Sequence, residues 1–409
     1  MRAAIAGAAI ALALGIAAAR ADDHAFETVE KGRYLTILGG CAACHTVPGG
    51  TPFAGGRAIE TPFGDVLATN ITPDRETGIG GWTDDEFVRA LQEGIGRDGE
   101  HLYPALPYTA YTKVERDDLL AIRAYLDTLD PVRNPVEPNQ LSFPFDMRLG
   151  MRGWNLLYFT AGPLKPRPDK PAEWNRGAAL VEGLGHCGSC HTAKSWFGGD
   201  DTGAPLRGGA LQGWFAPDIT ADRHVGIGDW STAQIVEYLK TGRNERVAAS
   251  GPMAEVVALS TSRMTDADLA AIATYLKDQP GAGATGPRPL AATDKRMVAG
   301  QAIYADNCSA CHQASGEGIP RLFPALKGTG SAQSADPTTL IRVVLQGSQA
   351  VVTDAAPTAP AMPAFGWRLN DDQTAAVITY LRNSWGNAAL PVRTGDVRSL
   401  RRTLSQRSD

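Results

Sequence analysis

The six cysteines of this 409-residue chain fall into three pairs of identical spacing, and a histidine follows each pair at once. The motifs are Cys41-Ala-Ala-Cys44-His45, Cys187-Gly-Ser-Cys190-His191 and Cys308-Ser-Ala-Cys311-His312. In Cys-x-x-Cys-His, two thiols two residues apart can both add to one edge of a porphyrin. The adjacent histidine then lies below the iron as its proximal ligand. A single CxxC pair would also suit a redox dithiol or half a zinc site. Three copies, each closed by histidine and with no cysteine left over, point instead to three covalently bound c-type haems.

An electron-transfer haem usually takes a methionine sulfur opposite its histidine, which raises its potential. Candidate positions can be measured back from a Tyr-Leu pair that ends each motif-bearing unit. In the last unit Met362 lies 19 residues before Leu381. In the middle unit Met253 lies 23 residues before Leu276 and is the better analogue; Met264, 12 before it, abuts the start of a helix. In the first unit the equivalent place is Leu106, 20 residues before Leu126, where "PALPYTAY" aligns with "PAMPAFGW". No methionine occurs between His45 and Met147. His101 is the local imidazole that could substitute, with Lys113, Tyr103 and Tyr108 behind it. Met147 and Met151 read as gap-filling packing residues. A vacant distal side would leave the first iron open to small ligands.

Positioning such sites requires repeated helical units. "TNITPDRETGIGGWTDDEFVRALQEG" (69–94) is echoed by "PDITADRHVGIGDWSTAQIVEYLKTG" (217–242), so that Trp82 matches Trp230 at an offset of 148 residues. That is an internal repeat of whole domains. Each motif follows a short helical stretch carrying a glycine (Gly32, Gly177, Gly300), suited to a close crossing of backbones. Each unit closes with an amphipathic helix, "DDLLAIRAYL", "DADLAAIATYL" or "DDQTAAVITYL", with Asp and Thr near the starts as caps. The glycine-rich pieces "GGTPFAGG" and "LRGGALQGW" shape loops at the haem edge. The expected fold class is all-α, with three tandem small helical domains at 22–130, 172–279 and 295–387. A proline-rich linker with a short central helix spans 131–171, an extended linker 280–294, and a basic tail 388–409. A haem would fill the centre of each domain of roughly 100 residues.

The N-terminus reads as a cleaved export leader, residues 1–21. Arg2 precedes an apolar run to Ala19, and Ala19-Arg20-Ala21 is a small-x-small cleavage site. The formal charge of −5 becomes −7 once Arg2 and Arg20 leave. That acidity argues against nucleic acid as a partner. No nucleotide-binding glycine pattern, catalytic triad or paired carboxylates stand out. In the tail, Val397, Leu400 and Leu404 recur at helical spacing among Arg398, Arg401, Arg402 and Arg407. Such a basic amphipathic segment can lie on an anionic lipid surface.

The three motifs, "HLYPALPYTAYTK", "SFPFDMRLGMRGWNLLYF" and "SGPMAEVV…MTDADLAAIATYLK" together resemble the triheme cytochrome c subunit of membrane-bound periplasmic dehydrogenases, over essentially the whole mature chain. This resemblance implies an electron-transfer subunit without substrate chemistry of its own. Electrons would pass from a quinoprotein, flavoprotein or molybdenum-type dehydrogenase subunit, through three haems, to ubiquinone or a terminal oxidase. It also implies axial methionines at Met253 and Met362, and peripheral attachment to the periplasmic surface of the cytoplasmic membrane. Leu106 departs from the methionine form of the pattern. The competing function is a haem enzyme reacting with peroxide or gas at an open first site, although "PALPYTAY" offers few polar groups for it.

Overall fold

The computed structural model describes residues 25–283 and 286–406; the leader at 1–21 lies outside them. Within the described residues three helical units follow one plan. An opening helix (Phe26–Leu38, Ala172–Ala178 or Lys295–Asn307) crosses a closing helix (Arg116–Leu126, Asp266–Lys277 or Asp371–Leu381). A Cβ on Gly32 would sit 1.7 Å from the Ala121 carbonyl oxygen, one on Gly177 2.0 Å from that of Ala271, and one on Gly300 2.3 Å from that of Ala376. Glycine at each crossing thus lets the two backbones touch, as the sequence led us to expect. The closing helices are capped differently. Thr265 accepts from the Asp268 N–H, Asn370 forms a capping box with Gln373, and Glu115 provides no side-chain cap.

The fold is mostly helical, as expected, with a few short strands added. A three-stranded antiparallel sheet joins Ala58–Thr61, Gly64–Leu67 and Gln140–Leu141. Hairpins pair Gly209–Leu211 with Trp214–Ala216 and Ser348–Gln349 with Ala361–Met362. These strands are two to four residues long, too short to leave a period-two signature in the sequence.

One hydrophobic core runs through the first two units. Leu35, Leu38, Leu119 and Ile122 pack with Leu180, Val181, Leu184, Leu269 and Ile272. A separate core in the third unit gathers Tyr304, Ile341, Val377, Ile378 and Leu381. The first linker forms the helix Gly150–Tyr158, and the described part of the second linker is extended.

The basic tail does not remain a free amphipathic segment. Its helix, Thr394–Gln406, buries Val397 and Leu404 in the third core. Arg401 binds Asp371 and the carbonyls of Gly366 and Leu369, and Arg398 pairs with Asp371. The apolar stripe that suggested a lipid surface faces inward, because the end of the third unit offers apolar surface nearer than any membrane.

Candidate haem sites

Each CxxCH motif starts or forms a short helical turn just after its opening helix. The histidines share one arrangement. Nδ1 lies 2.6 Å from the Thr69 carbonyl oxygen in His45, 2.7 Å from that of Pro217 in His191, and 2.9 Å from that of Pro324 in His312. A carbonyl can only accept, so Nδ1 carries the proton and Nε2 keeps a lone pair. Burial holds all three imidazoles below the ordinary histidine range, against the carbonyl bonds that favour the charged form. A neutral imidazole with Nδ1 donating and Nε2 free is the form that ligates a metal.

Glycine loops bring those carbonyls into place. Gly55 N–H donates to the His45 carbonyl and Gly208 N–H to that of His191, each at 2.8 Å. Both glycines have positive φ, and a Cβ on Gly55 would come within 2.4 Å of the Thr69 carbonyl carbon. The corresponding repeats also share an internal brace. The Asn70 Oδ1 accepts from the N–H and hydroxyl of Thr72, and the Asp218 Oδ1 accepts the same pair from Thr220.

The six thiols are not bonded to one another. Burial pushes Cys41 and Cys187 up to about 12 and Cys308 up to about 11. Burial that raises the thiols runs against the depressed values of a reactive redox dithiol. Burial raises Cys190 too, and the charge of Cys44 from the neighbouring unit adds to that while Lys194 opposes it. The first two motifs therefore lie within electrostatic reach of each other.

A cavity of about 2930 Å³ contains both of them. Its walls include Cys41, Cys44 and His45, Cys187, Cys190 and His191, the matched Trp82 and Trp230, and the linker helix. Two thiols and one free imidazole nitrogen per motif, opening into apolar space, are the donor set that a covalently bound c-type haem requires. The residues fit the group.

On the distal side Met253 and Met264 both border this cavity. Met264 is 2 % exposed and belongs to the core. Met253, half-buried in the first turn of the helix Pro252–Leu259, packs against that core from the cavity side. Leu106 borders the cavity as well. Met362 is half-buried in the hairpin paired with Ser348.

His101 stands apart, and is not among the cavity-lining residues. It bridges to Ile95, its carbonyl accepts from Arg148 at 2.8 Å, and its Nε2 lies 3.4 Å from the Arg152 Nε. Of the other first-unit candidates, Tyr108 donates to Asn155 at 2.6 Å, Lys113 pairs with Glu182 at 2.9 Å, and Tyr103 lies beneath Arg148. Met147 and Met151 border the cavity, Met151 buried and Met147 exposed.

Two histidines without motif context turn out to join units. His186 packs edge-on against Tyr111 with its Nε2 3.3 Å from the Gly39 carbonyl, and the His224 Nε2 approaches the Ala388 carbonyl at 3.2 Å. Nothing in their local sequence signals either contact.

Comparison with known proteins adds a second line. The Cytochrome c family model matches residues 297–385. The chain is 39% identical to the gluconate 2-dehydrogenase cytochrome c subunit of Pantoea cypripedii, across 96% of this chain and 94% of that one. It is 37% identical to the cytochrome c subunit of the quinone alcohol dehydrogenase of Gluconobacter oxydans, across 96% and 86%. The fructose dehydrogenase cytochrome subunit of Gluconobacter japonicus is 36% identical, across 91% and 82%.

Proposed function

The chain belongs to the family of cytochrome c subunits of gluconate, alcohol and fructose dehydrogenases, and from that membership we propose that it carries electrons on three covalently bound c-type haems. Electrons come from a dehydrogenase catalytic subunit and leave to ubiquinone or a terminal oxidase. The chain works at the periplasmic face of the cytoplasmic membrane. The observation that carries this reading is the threefold CxxC pair beside a neutral histidine whose Nδ1 is held by a backbone carbonyl.

When bound, haem supplies a one-electron iron couple. The chain does the rest. Cys41 and Cys44, Cys187 and Cys190, and Cys308 and Cys311 would anchor the haems covalently, and His45, His191 and His312 would ligate the irons. Met253 and Met362 would supply a thioether sulfur as the second protein ligand, which would raise the potential of those haems. Leu106 supplies none, and its neighbours Pro104, Ala105 and Pro107 border the cavity with apolar groups. The relatives are cytochrome c subunits of dehydrogenases, which supports a carrier over a haem enzyme. The export leader supports the periplasmic assignment. Among the described residues no helix is long and apolar enough to cross a membrane, consistent with attachment at the surface.

Two measurements on the purified chain test the proposal. Haem content by pyridine haemochrome should give three per polypeptide. The reduced protein should be reoxidised by a water-soluble ubiquinone analogue. Two haems or fewer, or a reduced form inert to quinone and oxidase alike, would refute it.

A further inference from the structure

The helix Pro252–Leu259, which carries Met253, is thinly held by its own unit. Of its eight residues Val257 alone is buried. It starts from Gly251, at φ +53°, and no side chain caps its N-terminus. Burial of one side chain does little to fix where a helix sits. Further anchors come from the first unit. Both terminal nitrogens of the Arg57 guanidinium donate to the Glu255 carboxylate, one of them at 2.9 Å. Arg57 also donates to the Ala43 carbonyl, inside the first CxxCH turn. At the far end of the helix, the buried Ser260 hydroxyl donates to the Leu38 carbonyl at 2.9 Å, just ahead of Cys41.

We propose that Arg57 is a positioning residue for Met253, so that the first unit sets where the second haem's sulfur ligand stands. Helix Pro252–Leu259 then works as a strut. Arg57 ties Glu255, in its first half, to the first haem-attachment turn, and Ser260 ties its C-terminal end to the helix before that turn. Met253 lies in the first turn of the strut and borders the cavity. A guanidinium fork on a carboxylate fixes orientation as well as distance. The two side chains are 28 % and 35 % exposed, so water screens the pair only in part.

The internal repeat sets Arg57 apart from what a single unit needs to fold. Gly55 and Gly208 hold the same place, each donating to the carbonyl of the motif histidine in its unit. Two residues further on, the first unit has Arg57 and the second has Ala210. The second unit's hairpin pairs without an arginine there. Arg57 therefore serves the junction, where it touches both the attachment turn of one site and the ligand helix of the next. Groups that orient a metal ligand govern how firmly the ligand holds its metal. A disturbance of the Cys41–His45 turn would thus reach the second haem through Arg57 and Glu255. This rests on the proposed function, in which Met253 ligates the second iron.

The test titrates imidazole into the oxidised, haem-loaded full chain and follows the methionine-to-iron absorption band, which fades as imidazole displaces sulfur. Met253→Leu identifies the phase that belongs to the second haem, and the Met362 phase serves as an internal reference. In Arg57→Met the second-haem phase should move to about tenfold less imidazole, the size expected when a group that orients a metal ligand is lost. Glu255→Gln should move it nearly as far, and the double variant no further than Arg57→Met, as one shared interaction requires. Arg57→Lys keeps the charge but loses the fork, and should move it about threefold. Lys31→Met removes another cation of the first unit, one paired with Asp118 of the same unit, and should leave the phase in place. An unmoved second-haem phase in Arg57→Met overturns the proposal and leaves Met253 as the ligand. An equal shift of the Met362 phase also overturns it, since the variant would then loosen the whole chain. So does a double variant whose shift is the product of the two single ones. If Met253→Leu leaves every band unchanged, the ligand assignment falls and the proposal falls with it.

Discussion

The first two units share one hydrophobic core and the cavity that holds their motifs, whereas the third keeps its own core, touches that cavity only at its edge through residues such as Thr339 and Arg342, and meets the second mainly through polar contacts and stacking. Between units one and two, the Tyr34 hydroxyl donates to Asp268 at 2.7 Å, the Ser260 hydroxyl to the Leu38 carbonyl at 2.9 Å, and Leu184 fills the space beside Gly39. Between units two and three, Thr339 exchanges two 2.9 Å bonds with the Phe215 backbone, the Gln333 amide donates to the His224 carbonyl at 2.7 Å, and Arg342 stacks 4.5 Å over Trp214. A shared apolar core couples folding tightly, because each half loses its burial without the other. Polar contacts between finished surfaces couple it weakly. The first two sites should therefore stand or fall together, with the third independent of them.

The harshest way to break that comparison is at the helix crossings. Gly177→Val puts side-chain atoms where the Ala271 carbonyl already sits, and should cost about 4 kcal/mol or more. If the core is shared, haem content falls at His45 and His191 together while the third site survives. Gly300→Val should remove the third haem alone. Haem-peptide mass spectrometry reads both outcomes, and loss of only the middle haem in Gly177→Val would dissolve the pairing.

Next in size is Met264→Ala. Truncating this buried methionine should cost about 3 kcal/mol and lower the unfolding temperature of the paired units. The methionine-to-iron absorption bands should not change, because Met253 is the proposed ligand. Disappearance of one of those bands would exchange the two assignments.

A milder probe is Asp268, which holds Arg176 through bonds of 2.8 and 2.9 Å while accepting from Tyr34. Burial alone would raise its pKa, but the Arg176 and Tyr34 bonds outweigh it and hold the carboxyl below its ordinary value. A depressed folded-state pKa gives stability that is present above the unfolded value of about 4 and is lost as pH falls through the folded one. Asp268→Ala should cost about 2 kcal/mol at neutral pH, discounted because Arg176 is partly exposed. Asp268→Asn should flatten the loss of stability below pH about 4, measured by denaturant titration across acid pH. An unchanged acid limb would mean the pair does not join the units.

The smallest structural effect sharpens the contrast inside the pair. Leucine and methionine have similar volumes, so Leu106→Met and Met253→Leu should each cost less than about 1.5 kcal/mol. Their spectra should move oppositely. Leu106→Met adds a methionine-to-iron band and raises the first haem's potential, while Met253→Leu removes a band and lowers the second's. Redox titration monitored at that band separates the cases.

Much of this was legible in the residues. The three motifs, the 148-residue repeat, the glycine crossings and the linker helix each occupy short stretches whose chemistry or periodicity shows locally. The small sheets did not show, since strands of two to four residues bear no periodic signal. The tail misled for a physical reason. An amphipathic stripe reveals that a helix has an apolar side, not what covers it, and Val397 and Leu404 found the third core. His101 sat close to Leu106 in the chain, but its partners, the bridge to Ile95 and the arginines of the linker helix, come from segments its local sequence does not name.

By itself the sequence determined where haem can be attached, because five contiguous residues carry the whole donor set of two thiols and an imidazole. It also determined that the units repeat, because equal spacing survives in the chain whatever the fold. Only the tertiary structure decided the rest. The proton on each histidine is placed by a carbonyl 12 to 26 residues away. The merging of two units around one cavity depends on which surfaces meet. Those outcomes come from burial and hydrogen bonds between segments far apart in the chain, and no local pattern encodes them.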